Sequence, residues 1–182
     1  HMVHKIIAIS GSDSPLSSNL RLLHYLKLHC ADVFQIQLLS INQLPFLSAE
    51  NAEKYQADLD YVRNVLHEAD GVIIATSEIN YSVPANIKNL IDWCSLDPST
   101  LQHKPIMLLG ASTGHLGTVR AQQHLRQILT SPGINACITH ETECLVGNAP
   151  DKFSTDGQLI DSETKKILHN LCAEFYSLIQ NN

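Results

Sequence analysis

The stretch Gly71-Val72-Ile73-Ile74-Ala75-Thr76-Ser77-Glu78-Ile79-Asn80-Tyr81-Ser82-Val83-Pro84 decides the fold. It opens on an unbroken apolar run, the signature of a strand buried on both faces. A polar turn follows. Pro84 stands where a first helical turn would begin, a position that tolerates its missing N–H. Ile87, Leu90, Ile91 and Cys94 then continue at helical spacing. The segment therefore reads as strand, polar turn, helix.

The same grammar occurs twice more. Val3-His4-Lys5-Ile6-Ile7-Ala8-Ile9-Ser10 runs into Gly11-Ser12-Asp13-Ser14-Pro15-Leu16-Ser17-Ser18-Asn19, and Leu20, Leu23, Leu26 and Cys30 follow as a helix. Pro105-Ile106-Met107-Leu108-Leu109-Gly110-Ala111 runs into Ser112-Thr113-Gly114-His115-Leu116-Gly117, and Ala121, Leu125 and Ile128 follow, stopping before Pro132-Gly133. Between these units, Val33 to Leu39 alternates like a strand, and Tyr55, Leu59, Val62, Leu66 and Ala69 mark an amphipathic helix. Ile134 to Ile138 reads as a short fifth strand, Thr139 to Asp156 as an irregular surface excursion, and Ile167 to Ile179 as a last helix.

Five strands alternating with five helices predict an α/β protein with a parallel sheet. Right-handed crossovers leave few topologies. Five strands favour a flavodoxin-like three-layer sandwich with strand order 2-1-3-4-5 over the Rossmann order. In such sheets ligands bind outside the carboxyl ends of the strands, so the three polar turns are expected to form one site.

Composition narrows the partners. The chain has 182 residues, enough for one domain with a real core; residues 2–182 are expected to form it, with His1 read as a remnant of a tag. A net charge of −6 with scattered Lys and Arg argues against nucleic acid. No apolar run reaches the roughly 18 residues of a membrane span, and no leader is apparent. Five cysteines at wide spacing, with no CxxC pair, predict reduced thiols in a cytoplasmic protein. Neither the histidines nor His140-Glu141-Thr142-Glu143-Cys144 form a metal motif, so no metal site is assigned.

The first turn lacks GxxxxGK[ST] and GxGxxG, which counts against a P-loop and a dinucleotide fold. It does place Ser12, Ser14, Ser17, Ser18 and Asn19 at a helix N-terminus, where free N–H groups and the helix dipole favour a phosphate. Helix capping alone would select the same residue types. The second turn offers Glu78, Asn80, Tyr81 and Ser82, and its backbone amides could grip the edge of a planar ring or simply connect strand to helix. In the third, Gly114 and Gly117 either admit a ligand close to the backbone or serve the turn itself. Asp92 and Trp93 read as structural.

Ser77 to Trp93, with its Lys88-Asn89-Leu90-Ile91-Asp92-Trp93 core, resembles the PEYNxSxPxxLKNxIDW segment of the NADPH-dependent FMN reductase family. Gly11-Ser12 to Asn19 resembles that family's GSxRxxSxN loop. Ser112 to Gly117 with Arg120-Ala121-Gln122 resembles SxGxxGxxRAQ, and Phe153, Asp156, Gly157 and Leu159 resemble FDxDGxL. The resemblance implies FMN with its phosphate on Ser12, Ser14, Ser17, Ser18 and Asn19. It implies an isoalloxazine lined by Ser77, Glu78, Ile79, Asn80 and Tyr81 and closed by Ser112, Thr113, Gly114 and His115. His115 is placed to touch substrate or nicotinamide. NADPH or NADH would supply hydride, and a quinone, azo compound, chromate or flavin would accept electrons. No side chain is required as acid or base, so no catalytic residue is assigned. A homodimer or homotetramer is implied.

Two departures stand out. The family's loop arginine is Ser14 here, and Ser77 and Ile79 replace the proline and aromatic residue flanking Glu78. Ser14 and Ile79 keep open one rival, a binding protein of the same fold without FMN; the other rival, a flavodoxin-like electron carrier, is opposed by the reductase-type second turn and by the absence of a strongly acidic surface run.

Overall fold

The computed structural model describes residues 2–182; His1 lies outside the described residues. In chain order the elements are β1 (His4–Ser10), α1 (Ser18–His29), β2 (Phe34–Leu39), α2 (Ala49–Lys54), α3 (Gln56–Glu68), β3 (Gly71–Ala75), α4 (Ala85–Cys94), β4 (Pro105–Ala111), α5 (Val119–Leu129), β5 (Cys137–Ile138), β6 (Leu145–Val146) and α6 (Ser162–Gln180). The sheet is parallel with order β2-β1-β3-β4-β5, and β6 also pairs with β4. The expected flavodoxin-like order is borne out.

Strand periodicity divides the core in two. Ile6, Ala8, Ile73, Ala75, Met107 and Leu109 face α1 and α6, meeting Leu22, Leu26, Leu171 and Phe175. Ile7, Ile9, Val72, Ile74, Ile106 and Leu108 face α3, α4 and α5, meeting Leu66, Ile87, Leu90 and Leu125. Sequential side chains of one strand thus feed opposite layers, which requires unbroken apolar runs. Each fully buried Val, Ile, Leu, Met or Phe among them contributes about 1.5–3 kcal/mol. At Gly71 a Cβ would stand 2.6 Å from Phe175 Cζ, so glycine is what lets α6 pack against the sheet there.

Thr139 to Asp156 is not the expected surface excursion. Cys137 and Ile138 pair with Pro105 and Ile106, and Leu145 and Val146 resume pairing with Gly110 and Ala111 further along the same edge. Together β5 and β6 form one interrupted edge strand. Cys144, Val146, Ala149 and Phe153 are buried. Glu174 on α6 holds the interruption, accepting from the N–H groups of His140 (2.8 Å), Glu141 (3.0 Å) and Thr142 (2.9 Å). Burial pushes the Glu174 carboxyl up, but these donors outweigh it and hold it below the usual glutamate range.

The fifth strand is also shorter than its apolar run implied. Asn135 sits at φ 52° and Ala136 N–H donates to Leu129 O, so Ile134 to Ala136 end the preceding helix turn rather than extend the sheet. Pro84 is the residue before α4 rather than its first turn. Helix α2 was not foreseen; it buries no residue and so carries no hydrophobic period.

Candidate active site at the switch point of the sheet

Strand order reverses beside β1: the chain moves outward to β2, then returns to place β3 on the other side. The crevice outside the carboxyl ends of β1 and β3 is therefore the expected ligand position. All three polar turns border it.

The first turn is a ladder of serine hydroxyls. Ser12 N–H donates to Ser10 Oγ, Ser14 N–H to Ser12 Oγ, and Leu16 N–H to Ser14 Oγ. Ser17 is the N-cap of α1, its Oγ accepting from Leu20 N–H at 3.3 Å. Each of these hydroxyls accepts from backbone, which leaves its own O–H free to donate. The N–H groups of Ser18 and Asn19 find no acceptor among the described residues. The first turn of α1 holds no carboxylate. Asp13 is drawn aside, accepting from Ser40 Oγ (2.8 Å) and Asn42 Nδ2 (2.9 Å) beyond β2. The donor set matches a phosphate dianion, without a cation in the loop.

Asn19 has another job than facing the loop. It is 6% exposed, and its side chain brackets Ala111, with Nδ2 donating to Ala111 O (3.2 Å) and Oδ1 accepting from Ala111 N–H (2.8 Å). The start of α1 is thereby tied to the start of the third turn.

The second turn is a two-residue reversal. Ile79 and Ser82 exchange both backbone hydrogen bonds at 3.0 Å, with Asn80 at φ 49° and Tyr81 at φ 67°. Both central residues are left-handed, the arrangement that favours Asn-Gly. Asn80 suits it, whereas Tyr81 costs about 1–2 kcal/mol in that conformation. The Tyr81 side chain is 66% exposed, and the Arg120 guanidinium lies 4.1 Å from its ring centroid. Glu78 also points inward. Its Oε1 accepts from Arg120 N–H (2.9 Å) and Ala121 N–H (3.0 Å), capping α5, and its Oε2 is 3.9 Å from Arg120 Nη1. Ser82 Oγ meets His124 Nδ1 at 2.8 Å. Ser77 is half-buried at the end of β3.

The third turn is buttressed from behind. Ser112 N–H donates to Val146 O, Asn148 N–H to Gly114 O and Ala149 N–H to Ser112 O. The two glycines separate. Gly117 lies at φ 58° with a hypothetical Cβ 2.5 Å from Leu145, so the turn itself requires it. Gly114 has no such φ, and its Cβ would meet nothing within 4 Å. Protein packing does not demand a glycine there; a ligand approaching the backbone would. Thr113 and His115 are exposed beside it.

Sequence reasoning assigned no role to Asn86 or Arg120. Asn86 Nδ2 donates to Gly11 O (2.6 Å) and Asn42 Oδ1 (2.9 Å), tying α4 to the first turn. Three side chains thus close a ring: Asn86 joins turn one to α4, Glu78 joins turn two to α5, and Asn19 joins α1 to turn three. A cavity of about 540 Å³ between β5 and α6 lies apart from this crevice, lined by Thr139, His140, Glu174 and Asn181 among others. Among the described residues no three His, Cys, Asp or Glu side chains gather as a metal site, and no helix is long and apolar enough to cross a membrane.

A doubly wound parallel sheet with polar turns gathered at its switch point is the architecture of flavodoxin-like α/β proteins. The profile of the NADPH-dependent FMN reductase family matches residues 4–151, and the chain belongs to that family. It is accordingly an oxidoreductase with FMN as cofactor and a nicotinamide as electron donor. It is 36% identical over 169 residues to the NADH:(hydroxy)cinnamate reductase subunit CrdA of Vibrio ruber, covering 93% of this chain and 84% of that one. It is 35% identical over 145 residues to the quinone reductase of Escherichia coli, covering 78% and 76%. In structure it is similar to the flavoenzyme NAD(P)H:(acceptor) oxidoreductase FerB of Paracoccus denitrificans, with a TM-score of 0.88, 24% identity and 98% of each chain covered.

Proposed function

We propose that this chain reduces a small planar organic acceptor of the quinone type, using electrons from NADPH or NADH. Bound at the switch point, FMN supplies the hydride-accepting and electron-donating chemistry. The hydroxyls of Ser12, Ser14 and Ser17 and the N–H groups of Ser18 and Asn19 hold its phosphate. The backbone from Ser77 to Tyr81 and the turn from Ser112 to His115 would flank its ring, with Gly114 leaving room for close approach. Asn19, Glu78 and Asn86 keep these segments at fixed separation, so the protein contributes orientation and oriented backbone dipoles.

The observation that carries the acceptor class is the rim. Ile79 (54% exposed), Tyr81 (66%) and Leu116 (51%) present apolar surface around an open crevice. Arg120, beside this rim, is engaged with Tyr81 and Glu78. Such a rim suits a flat apolar molecule better than an oxyanion such as chromate. His115, exposed in the third turn, would contact acceptor or nicotinamide. We further propose a cytoplasmic homodimer or homotetramer built on α4 and α5.

The test is spectroscopic. The protein is mixed with FMN, NADPH is added anaerobically, and a simple quinone follows. Rapid bleaching of the flavin band, then its return with the quinone, is the expected result. Flavin that binds but bleaches slowly identifies a carrier. No flavin binding at micromolar concentration overturns the proposal.

A further inference from the structure

Away from the crevice, two thiols meet. Cys30 is the C-cap of α1 and Cys172 lies on α6; their sulfurs are 3.5 Å apart. The pair sits at the margin of the core layer formed by α1 and α6, with Cys30 half-buried and Cys172 buried. The Cys30 backbone is anchored: its N–H donates to Leu26 O, and its carbonyl accepts from Val33 and Phe34 N–H. The sulfurs need approach by only about 1.5 Å to reach bonding distance. The remaining three cysteines differ. Cys94 and Cys144 are buried and pushed up to about 12, which makes them inert as thiolates. Cys137 has no thiol within hydrogen-bond distance among the described residues.

We propose that Cys30 and Cys172 are a peroxide-responsive dithiol that closes into an intramolecular disulfide between α1 and α6. The roles within the pair are unequal. The two sulfurs share one hydrogen bond; once Cys30 is ionised the Cys172 S–H donates to it, which holds Cys30 below the usual thiol range despite burial and the nearby Asp32 charge. The same bond, with burial, raises Cys172. The Cys30 thiolate therefore attacks first. Its sulfur takes one oxygen of hydrogen peroxide, the O–O bond breaks, and the released hydroxide leaves as water with the proton lost by Cys30. The Cys172 sulfur then attacks the Cys30 sulfenic acid, the S–O bond breaks, and the hydroxyl leaves as water with the Cys172 proton. Two thiols lose two electrons, and one peroxide becomes two waters. The bond would span 142 residues of sequence. Removing that much freedom from the unfolded chain raises the melting temperature on the order of 5–15 °C.

The proposal does not depend on flavin, because peroxide can be supplied as a reagent. Full-length protein is reduced, freed of reductant and treated with a small molar excess of hydrogen peroxide. Expected are loss of two of its five thiols, a tryptic peptide joining Cys30 to Cys172, and a higher melting temperature reversed by dithiothreitol. In Cys172→Ser, Cys30 should instead accumulate a sulfenic acid that dimedone traps. In Cys30→Ser, Cys172 should stay reduced. Full retention of five thiols, a crosslink to any other cysteine, or over-oxidation of Cys30 without a crosslink in the unmodified protein overturns the proposal. The peptide map of the unmodified protein decides the matter even where a variant fails to fold.

Discussion

Replacing Asn19 by alanine should cost stability far beyond what a first-turn helix residue ordinarily contributes. The side chain satisfies both backbone groups of Ala111, N–H at 2.8 Å and C=O at 3.2 Å, in a buried position. The variant leaves one donor and one acceptor inside the protein without partners. Each orphaned group costs about 1–3 kcal/mol, with the lower half of that range applying where water reaches it, so the pair costs roughly 2–4 kcal/mol. Against a total of about 5–15 kcal/mol that is a large fraction. For a chain of this size it lowers the melting temperature by roughly 5–15 °C. Urea unfolding followed by fluorescence of the single tryptophan measures it cleanly. Trp93 is buried, and its indole N–H donates to Pro45 O at 2.7 Å, so its emission reports loss of the native core. The midpoint should fall while the denaturant slope stays constant. Ser18→Ala, one residue earlier in sequence, should change stability by less than about 0.5 kcal/mol. A cost below about 1 kcal/mol for Asn19→Ala would refute the reasoning that this side chain joins the first and third turns.

Three further outcomes are expected. Ser14→Arg should tighten FMN binding about tenfold in a fluorescence-quenching titration, because a bidentate cation joins a site built only of neutral donors; no gain would move the phosphate out of the first turn. Glu78→Ala should cost about 1–2 kcal/mol, read by urea unfolding, through loss of the carboxylate that caps α5, and should also raise the FMN dissociation constant as the second turn loosens. Glu174 binds its proton more weakly folded than unfolded, so its contribution is present at neutral pH and is lost as pH falls from the ordinary glutamate range through its lower folded value; in melting curves recorded from neutral to acid, Glu174→Gln should flatten that part of the pH dependence.

The sheet order was legible because β1, β3 and β4 are buried on both faces and so must be written as apolar runs. Short or exposed pieces leave no such record. Strands of two residues, as in β5 and β6, have no period to read, and α2 buries nothing. That the three polar turns lie together was equally legible, since turns after parallel strands share one edge. The duties of individual side chains were not. Asn19 and Glu78 are polar residues in polar turns, and only their partners, 92 and 42 residues away, show that they brace the site from within. Gly114 and Gly117 look alike in sequence and are separated only by backbone angle and by what a Cβ would strike.

The break between β5 and β6 also bears on solubility. A long, regular edge strand offers a template on which another chain can add a strand, the first step toward aggregation. Here that side of the sheet presents two dipeptide strands, divided by a detour whose amides are already occupied by the Glu174 carboxylate. An incoming strand would find no continuous row of free donors and acceptors to copy. The interruption thus works as a guard against edge-to-edge association, and disturbing it by loss of Glu174 should show first as aggregation on mild heating.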